Sequence, residues 1–258
     1  MRKYVPVISV LLGVWVWQHI PAQQVHWFFY PFLLLVMMLM SCAAYEAKQL
    51  RRRAFLRQYL QPTSFWQRVL TTGVVAWLLT LPMTLLLALV FLLSARSAGA
   101  GIWWALLLGA GVFMWVQHVA RRGLAAHVLP VGREAVGRKL SVYPAVLSML
   151  CVFVLAQMLA THPNYLGVSA GQLWPYLVQS IEHHNAYALW HSLLAALQTF
   201  QLWAMENATA TGTVSTPLQL LGWCVFFLLQ GGFAWAFGQL IWGAQALLHR
   251  HQQENKHE

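Results

Sequence analysis

The chain contains no aspartate, and its six acidic residues are all glutamate in a sequence of 258 residues. Charged residues make up only 9% of the chain, whereas about 25% of a soluble domain is charged. Hydrophobic residues make up 59%, and 14 residues are tryptophan. This composition excludes a soluble globular enzyme, a disordered chain and a nucleic-acid-binding module, and it predicts a polytopic membrane protein.

Signatures of catalysis and of nucleotide binding are also missing. The phosphate-binding loop GxxxxGKS or GxxxxGKT does not occur, so this chain has no ATP site of that kind. Residues 167–171 match GxSxG, but they lie in a loop with no acidic residue nearby, which favours a chance match. Cys42, Cys151 and Cys224 form no CxxC pair and lie in apolar runs, where thiols are usually inert packing groups. The sequence therefore predicts neither an enzyme nor a bound cofactor.

Six apolar runs approach the length of about 20 residues that crosses the hydrocarbon core of a membrane. They predict a single all-α integral membrane domain over residues 1–258, with six transmembrane helices. The first run is short and also has features of a signal peptide, but we expect it to be retained as a helix. The six predicted spans are residues 4–20, 27–45, 69–93, 102–119, 143–160 and 220–248.

The basic residues are distributed unevenly among the segments that connect these spans. Sixteen Lys and Arg residues against six Glu give a net charge of +10, and only Arg96 falls in a connection on the side opposite to the rest. Positive charge marks the cytoplasmic side of a membrane protein. We therefore expect a multi-pass protein of the bacterial inner membrane, with both termini and the tail 249–258 in the cytoplasm. Its basic residues then face membrane lipids and the cytoplasm rather than nucleic acid.

No Glu, Lys or Arg lies in the middle of a predicted span. Proton relays and ion-coupled carriers need such groups inside the membrane, so we do not expect an ion-coupled transporter that acts alone. Small residues such as Gly109, Gly111, Gly238 and Gly243 instead permit close approach of helices. They are typical either of packing within one bundle or of a homodimer, and the sequence leaves both open.

The basic segment 48–60 between spans two and three has an amphipathic pattern. Leu50, Leu56 and Leu60 share one face of a helix, with arginines opposite, which predicts a helix lying along the cytoplasmic membrane surface. Residues 61–62, Gln-Pro, are predicted to end it. The segment is either a basic tether or a docking surface for a cytoplasmic partner, and the candidate docking residues are Glu46, Arg51, Arg52, Arg53 and Arg57.

The long outer segment 162–216 contains two apolar runs at helical spacing. They predict two amphipathic helices, or a re-entrant hairpin, packed on the outer mouth of the bundle and interrupted at residues 182–185. Imidazole and carboxylate groups that concentrate here are plausible ligands for Zn or Cu. No HExxH pattern is present, so interfacial histidines with solvated rings are the alternative. The candidate metal ligands are Glu182, His183, His184 and His191.

Residues 46–93 contain an ordered series of motifs. Glu46 is followed by a predicted basic helix, then by Leu-Gln-Pro-Thr-Ser at 60–64, Arg68, and an apolar span that contains Pro82. This series resembles the permease subunits of ABC-2-type ABC transporters. Members of that family have six spans, cytoplasmic termini, a coupling helix between spans two and three, and two outer helices between spans five and six. The resemblance implies that residues 48–59 contact a separate cytoplasmic ATPase. The chain departs from the family at Arg53-Ala54-Phe55, where a glycine is usual.

These observations lead to three hypotheses for the function. In the first, the chain is a permease-like subunit of a multi-subunit transport machine energised by a cytoplasmic ATPase, with a hydrophobic or amphiphilic cargo such as a lipid or glycan. In the second, it is a non-catalytic scaffold or assembly subunit of a membrane complex for secretion, conjugation or envelope biogenesis. In the third, it is a membrane-embedded metal-binding protein, either an enzyme or a metal carrier, that uses the outer histidines.

Overall fold

A computed structural model of the protein describes residues 4–59, 78, 80–97, 99, 101–124, 130–159, 165, 168–182, 184–210 and 216–254. Within these ranges the chain forms helices and no strand, which confirms the predicted all-α class. The described helices are α1 (Val5–His19), α2 (Val25–Tyr59), α3 (Leu81–Ser97), α4 (Gly101–Gly123), α5 (Pro130–Leu159), α6 (Ala170–Gln179), α7 (Ala186–Ala210) and α8 (Thr216–Glu254).

Four of the described helices are long and apolar enough to cross a membrane, rather than the predicted six. The remaining two apolar helices, α1 and α3, have 15 and 17 residues, so at about 1.5 Å per residue α3 is only about 26 Å long. The predicted third span began at residue 69, but residues 69–77 and 79 lie outside the described residues. The candidate spans are Val25–Lys48, Gly101–Gly123, Arg133–Ala156 and Leu220–His249.

Helix α2 continues without a break through the segment predicted to be a separate surface helix. It has 35 residues and ends at Tyr59, so its helical path is about 52 Å long, against about 30 Å for the hydrocarbon core. The apolar part ends at Lys48, and the basic part extends α2 beyond it. The predicted boundary at Lys48 is therefore wrong, because a row of arginines is compatible with uninterrupted helix. The predicted Gln61-Pro62 break lies outside the described residues.

Helix α5 begins well before the predicted fifth span. The sequence placed residues 130–142 in a connecting loop because they carry several charges, but the helix starts at Pro130. A proline is tolerated in the first turn, where its missing N–H has no helical partner. Glu134 and Arg138 are spaced i,i+4 and form an ion pair of 3.5 Å, which supports the helix. Charged side chains thus enter the bundle at the beginning of α5.

The outer segment contains two described helices, α6 and α7, of which α6 ends at Gln179 and α7 begins at Ala186. The N–H of Ser169 donates to Oε1 of Gln172 over 3.2 Å at the beginning of α6, as in a capping box. The serine of the GxSxG match is therefore a helix-capping residue. Leu173 and Leu177 of α6 are buried against Trp203 of α7, so the two helices pack on each other.

Helix α8 lies at the centre of the bundle and packs on α1, α2, α3, α4, α5 and α7. Its aromatic residues contribute to the core: Phe91 of α3 stacks on Phe233, with ring centroids 5.1 Å apart. Close contacts at glycine bring α8 against two neighbours. A Cβ at Gly243 would overlap the backbone of Leu39 in α2, and one at Gly238 would lie 3.1 Å from a methyl of Val142 in α5. These two glycines therefore serve packing within the bundle.

Candidate functional site

A buried ion pair joins three helices at one end of the bundle, where α2 passes Glu46, α5 begins and α8 passes Trp242. We call this the basic end. Arg138 is only 3% exposed. Its Nε donates to Oε2 of Glu46 over 3.3 Å, and a terminal guanidinium nitrogen donates to Oε1 over 2.5 Å. The indole N–H of Trp242 donates to the same carboxylate over 2.5 Å. Glu46 thus links α2 to both α5 and α8.

A second glutamate, Glu134, extends this network to the solvent-facing side. Its carboxylate lies 3.7 Å from Arg121 of α4, 3.5 Å from Arg138 and 3.4 Å from the ring of His249 in α8. Glu134 is 41% exposed, so these outer pairs are screened and individually weak. Their combined effect is to bring the ends of α4, α5 and α8 together.

The network compensates the charge of a guanidinium that is buried among the helices. A guanidinium removed from water is costly unless a carboxylate pairs with it and its N–H groups are satisfied. Both conditions are met for Arg138, because the two-pronged contact with Glu46 has the geometry that suits guanidinium and carboxylate groups. The arrangement makes the basic end a rigid junction of helices.

An amide pair adds a further connection between α4 and α8. Gln117 donates from Nε2 to Oε1 of Gln245 over 2.9 Å, and Gln245 returns a hydrogen bond of 3.3 Å. Gln117 is buried, and in such surroundings an unpaired amide is costly. The two side chains satisfy each other, one helical turn from the ion-pair network on each helix.

Arg96, the basic residue on the unexpected side, has a structural role at the opposite end. Its guanidinium donates to the backbone carbonyls of Trp17 and Gln18, over 3.0 and 2.6 Å, and to that of Ile20 over 2.6 Å. These carbonyls end α1 and have no partner within it. Burial raises the pKa of the nearby Tyr187 phenol above its usual value of 10.0, while Arg96 acts in the opposite direction.

Replacing Arg96 with leucine is expected to destabilise the C-terminal turn of α1. Three carbonyls lose a charged donor, and each hydrogen bond to a charged group contributes about 1.5–3 kcal/mol, partly recovered here by water. Hydrogen exchange should therefore rise at least tenfold for the amides of the last turn of α1. Arg96→Lys is the matched control, because a single ammonium satisfies some of the three carbonyls and should give an intermediate rate. Unchanged exchange in Arg96→Leu would contradict the capping role.

The predicted docking residues divide into two groups. Glu46 lies in the internal network, where its carboxylate contacts Arg138 and Trp242. The other candidates lie in the last turns of α2, after Glu46 in the chain: Arg51, Arg52, Arg53 and Arg57. Glu46 and the four arginines therefore lie on the same continuous helix, α2.

The predicted metal ligands are not brought together among the residues that the structure describes. Glu182 and His184 are exposed in the turn between α6 and α7, and His183 lies outside the described residues. His191 faces Tyr187 on α7, with ring centroids 5.6 Å apart. In the described ranges no three His, Cys or Glu side chains are close enough to hold a metal ion.

Arg138 is the residue of the ion-pair network that the sequence analysis missed. It was counted among the charges of a loop, because hydropathy alone treats a charged residue as a boundary. Two signals point to its role. It lies one helical turn from Glu134, and Glu46, one of only six acidic residues, stands at the end of an apolar run and needs a basic partner.

No protein-family model matches the chain, and no curated protein or solved structure matches it either. The likeness of residues 46–93 to ABC-2-type permeases accordingly stands on the sequence pattern alone.

Proposed function

We propose that this chain is a permease-like membrane subunit of a multi-subunit transport machine driven by a separate cytoplasmic ATPase. The observation that carries the proposal is the continuity of α2. One helix of 35 residues joins an apolar span to a basic extension, and Glu46 connects it to α5 and α8 at the boundary between those parts.

This geometry suits the transmission of movement. An ATPase that binds the basic extension would shift a helix whose displacement acts directly on Arg138 and Trp242, because both contact Glu46. Packed helices respond to such a shift by sliding or rotating as units. A movement of the extension would therefore be transmitted to α5 and α8 through the contacts of Glu46 with Arg138 and Trp242.

The same proposal gives the orientation of the chain. The positive-inside rule assigns the basic end to the cytoplasm. Val5 at the beginning of α1 and Leu248 near the end of α8 line one apolar cavity of about 380 Å³, so both helix ends lie on one side of the bundle. In this orientation the extension of α2 projects into the cytoplasm, where the ATPase would be.

Charge reversal on the extension tests the proposal. In gentle detergent, the wild-type chain is expected to copurify with a stoichiometric soluble ATPase, and the triple variant Arg51→Glu, Arg52→Glu, Arg53→Glu to retain at most a tenth of it. Mass spectrometry identifies and quantifies the bound partner. The matched control reverses Arg250 and Lys256, which changes charge in the tail and leaves α2 intact. Purification with partners that include no ATPase would contradict the proposal.

A scaffold or assembly role is the second candidate, and one observation favours it. Helix α6 lies outside the candidate spans and exposes Trp174 and Tyr176, with 68% and 62% of their surfaces accessible. Exposed aromatic residues of this size are typical of protein contacts. If Trp174→Ser with Tyr176→Ser removes a membrane or envelope partner while no ATPase is found, the scaffold role replaces the transport role.

A further inference from the structure

The apolar cavity of about 380 Å³ is a cleft between α1 and α2, over a floor formed by α3 and α8. Helices α1 and α2 meet at one end of it, where the ring of Trp17 lies 5.2 Å from the ring of Phe32. Leu248 lines the cleft and immediately precedes His249 of the ion-pair network. The cleft is therefore closed by Trp17 at one end and reaches the basic end at the other.

The walls of the cleft are hydrocarbon. Apart from Ser9, the described residues that line it are apolar, and the indole N–H of Trp17 already donates to the carbonyl of Leu92 over 2.8 Å. Val5 and Leu35 at its edge are 49% and 55% exposed, so the cleft is open at its side. An apolar cavity of about 150 Å³ stays dry and binds benzene. This larger space therefore suits a hydrocarbon ligand rather than water.

The length of the cleft fits one acyl chain. Eight residues separate Ser9 from Trp17 on α1, a distance of about 12 Å along the helix. The hydrocarbon core of a membrane is about 30 Å thick, so the acyl chains of one leaflet extend over about 15 Å. Gly13 lies between these two residues, and within the described parts of the chain no neighbouring atom lies within 4 Å of a Cβ added there. A chain can thus lie along α1 past Gly13 as far as Trp17.

Ser9 gives the cleft one polar group. Its hydroxyl has no hydrogen-bond partner among the described residues. Serines within helices often donate to a carbonyl of the preceding turn, as Ser141 and Ser148 do here over 2.8 Å. Ser9 is also exposed, so a ligand in the cleft can reach it. It lies one turn after the beginning of α1, where it can donate to an acceptor at the polar end of an acyl chain.

We propose that this cleft binds one acyl chain of an ester-linked phospholipid from the leaflet at the basic end. The hydroxyl of Ser9 donates to the ester carbonyl oxygen, and the chain runs along Gly13 to Trp17. The lipid enters from the membrane through the open side. A free fatty acid fits less well, because its carboxylate would find no cation among the described lining residues and charge without a partner is costly there. The site does not depend on the ATP-driven function, because it is formed by this chain alone.

Native mass spectrometry of the delipidated full chain with added phosphatidylethanolamine tests the position of the site. The wild-type protein is expected to retain one lipid per chain. Gly13→Phe places a ring in the cleft and should lower this retention at least tenfold. Gly111→Phe is the matched control, because a Cβ at Gly111 also meets open space but lies on α4, outside the cleft. This control should retain the lipid as wild type does.

An ether-linked phosphatidylethanolamine with the same headgroup and chain length tests the role of Ser9, because it lacks the ester carbonyl. Wild type should retain the ester lipid at least three times more strongly than the ether lipid, and Ser9→Ala should retain both equally. Ser97→Ala, at an exposed serine that does not line the cleft, should keep the preference.

Three results would overturn the assignment. They are wild type that retains detergent in place of the phospholipid, folded Gly13→Phe that retains as much lipid as Gly111→Phe, and Ser9→Ala that keeps the ester preference. Thermal unfolding of each variant shows whether it is folded. If Gly13→Phe does not fold, the comparison of ester and ether lipids in wild type and Ser9→Ala still decides the question.

Discussion

Alanine at Gly243 is expected to lower the free energy of unfolding by about 3 kcal/mol or more, at or above the top of the usual range for overpacked cores. A Cβ at this position would overlap the carbonyl group of Leu39. Backbone cannot rotate away as a side chain can, so α2 and α8 would have to separate. That separation would also displace Trp242, the neighbouring residue, from Glu46. Titration with SDS in mixed micelles measures the change.

Two other glycines make a graded series with Gly243. Gly231 lies on the same helix and has no atom within 4 Å of an added Cβ. A Cβ at Gly109 would overlap the side chain of Met149 at 2.6 Å, while the nearest backbone atom, the carbonyl oxygen of Ala145, lies 3.8 Å away. Gly231→Ala is expected to be neutral or to stabilise by up to about 1 kcal/mol, from helix propensity. Gly109→Ala should fall between the other two. If Gly243→Ala unfolds no more easily than Gly231→Ala, the close contact between Gly243 and the backbone of Leu39 is contradicted.

Leucine at Glu46 is expected to cost about 3–5 kcal/mol of stability, the usual loss when one partner of a buried ion pair is removed. Arg138 would remain buried, with Glu134 as a partner at 3.5 Å that is itself half exposed. Trp242 would lose its acceptor at the same time. The same micelle titration measures the loss, and Arg122→Leu, which changes an exposed arginine of α4, should stay within about 0.5 kcal/mol of wild type.

A double variant tests whether Glu46 and Arg138 stabilise the protein as a pair. Glu46→Leu with Arg138→Leu replaces both charges by apolar groups, which is often neutral for a buried pair. We therefore expect the double variant to be more stable than either single variant, with a coupling energy of at least about 2 kcal/mol. Simple addition of the two single losses would show that the residues do not act as a pair.

The elements that the sequence predicted well are those whose boundaries are local. Helix α1 was expected at 4–20 and lies at Val5–His19, because Pro21 follows its apolar run. Helix α4 was expected at 102–119 and lies at Gly101–Gly123. The interruption between α6 and α7 was predicted from Glu182-His-His-Asn, where the apolar spacing stops. Each depends on neighbouring residues alone.

The candidate site was less predictable because its contacts are distant in sequence. Arg138 and Glu46 are 92 residues apart, and no local pattern indicates that their charges cancel inside the bundle. Without that pairing, hydropathy assigns the beginning of α5 to a loop. Gly243 was recognised as a small packing residue, but only the fold identifies Leu39 as the backbone that it meets.

The central place of α8 has a consequence for biogenesis. Of the described helices, α8 is the last to leave the ribosome, yet it packs on six others. Earlier helices can insert and begin to associate, but Glu46 has no indole donor until Trp242 has been translated. A nascent chain that stops before α8 would present apolar grooves to lipid and a half-formed ion-pair network to quality-control proteases. The packing of this bundle therefore cannot be completed before α8 is made, and truncated products should be degraded rapidly.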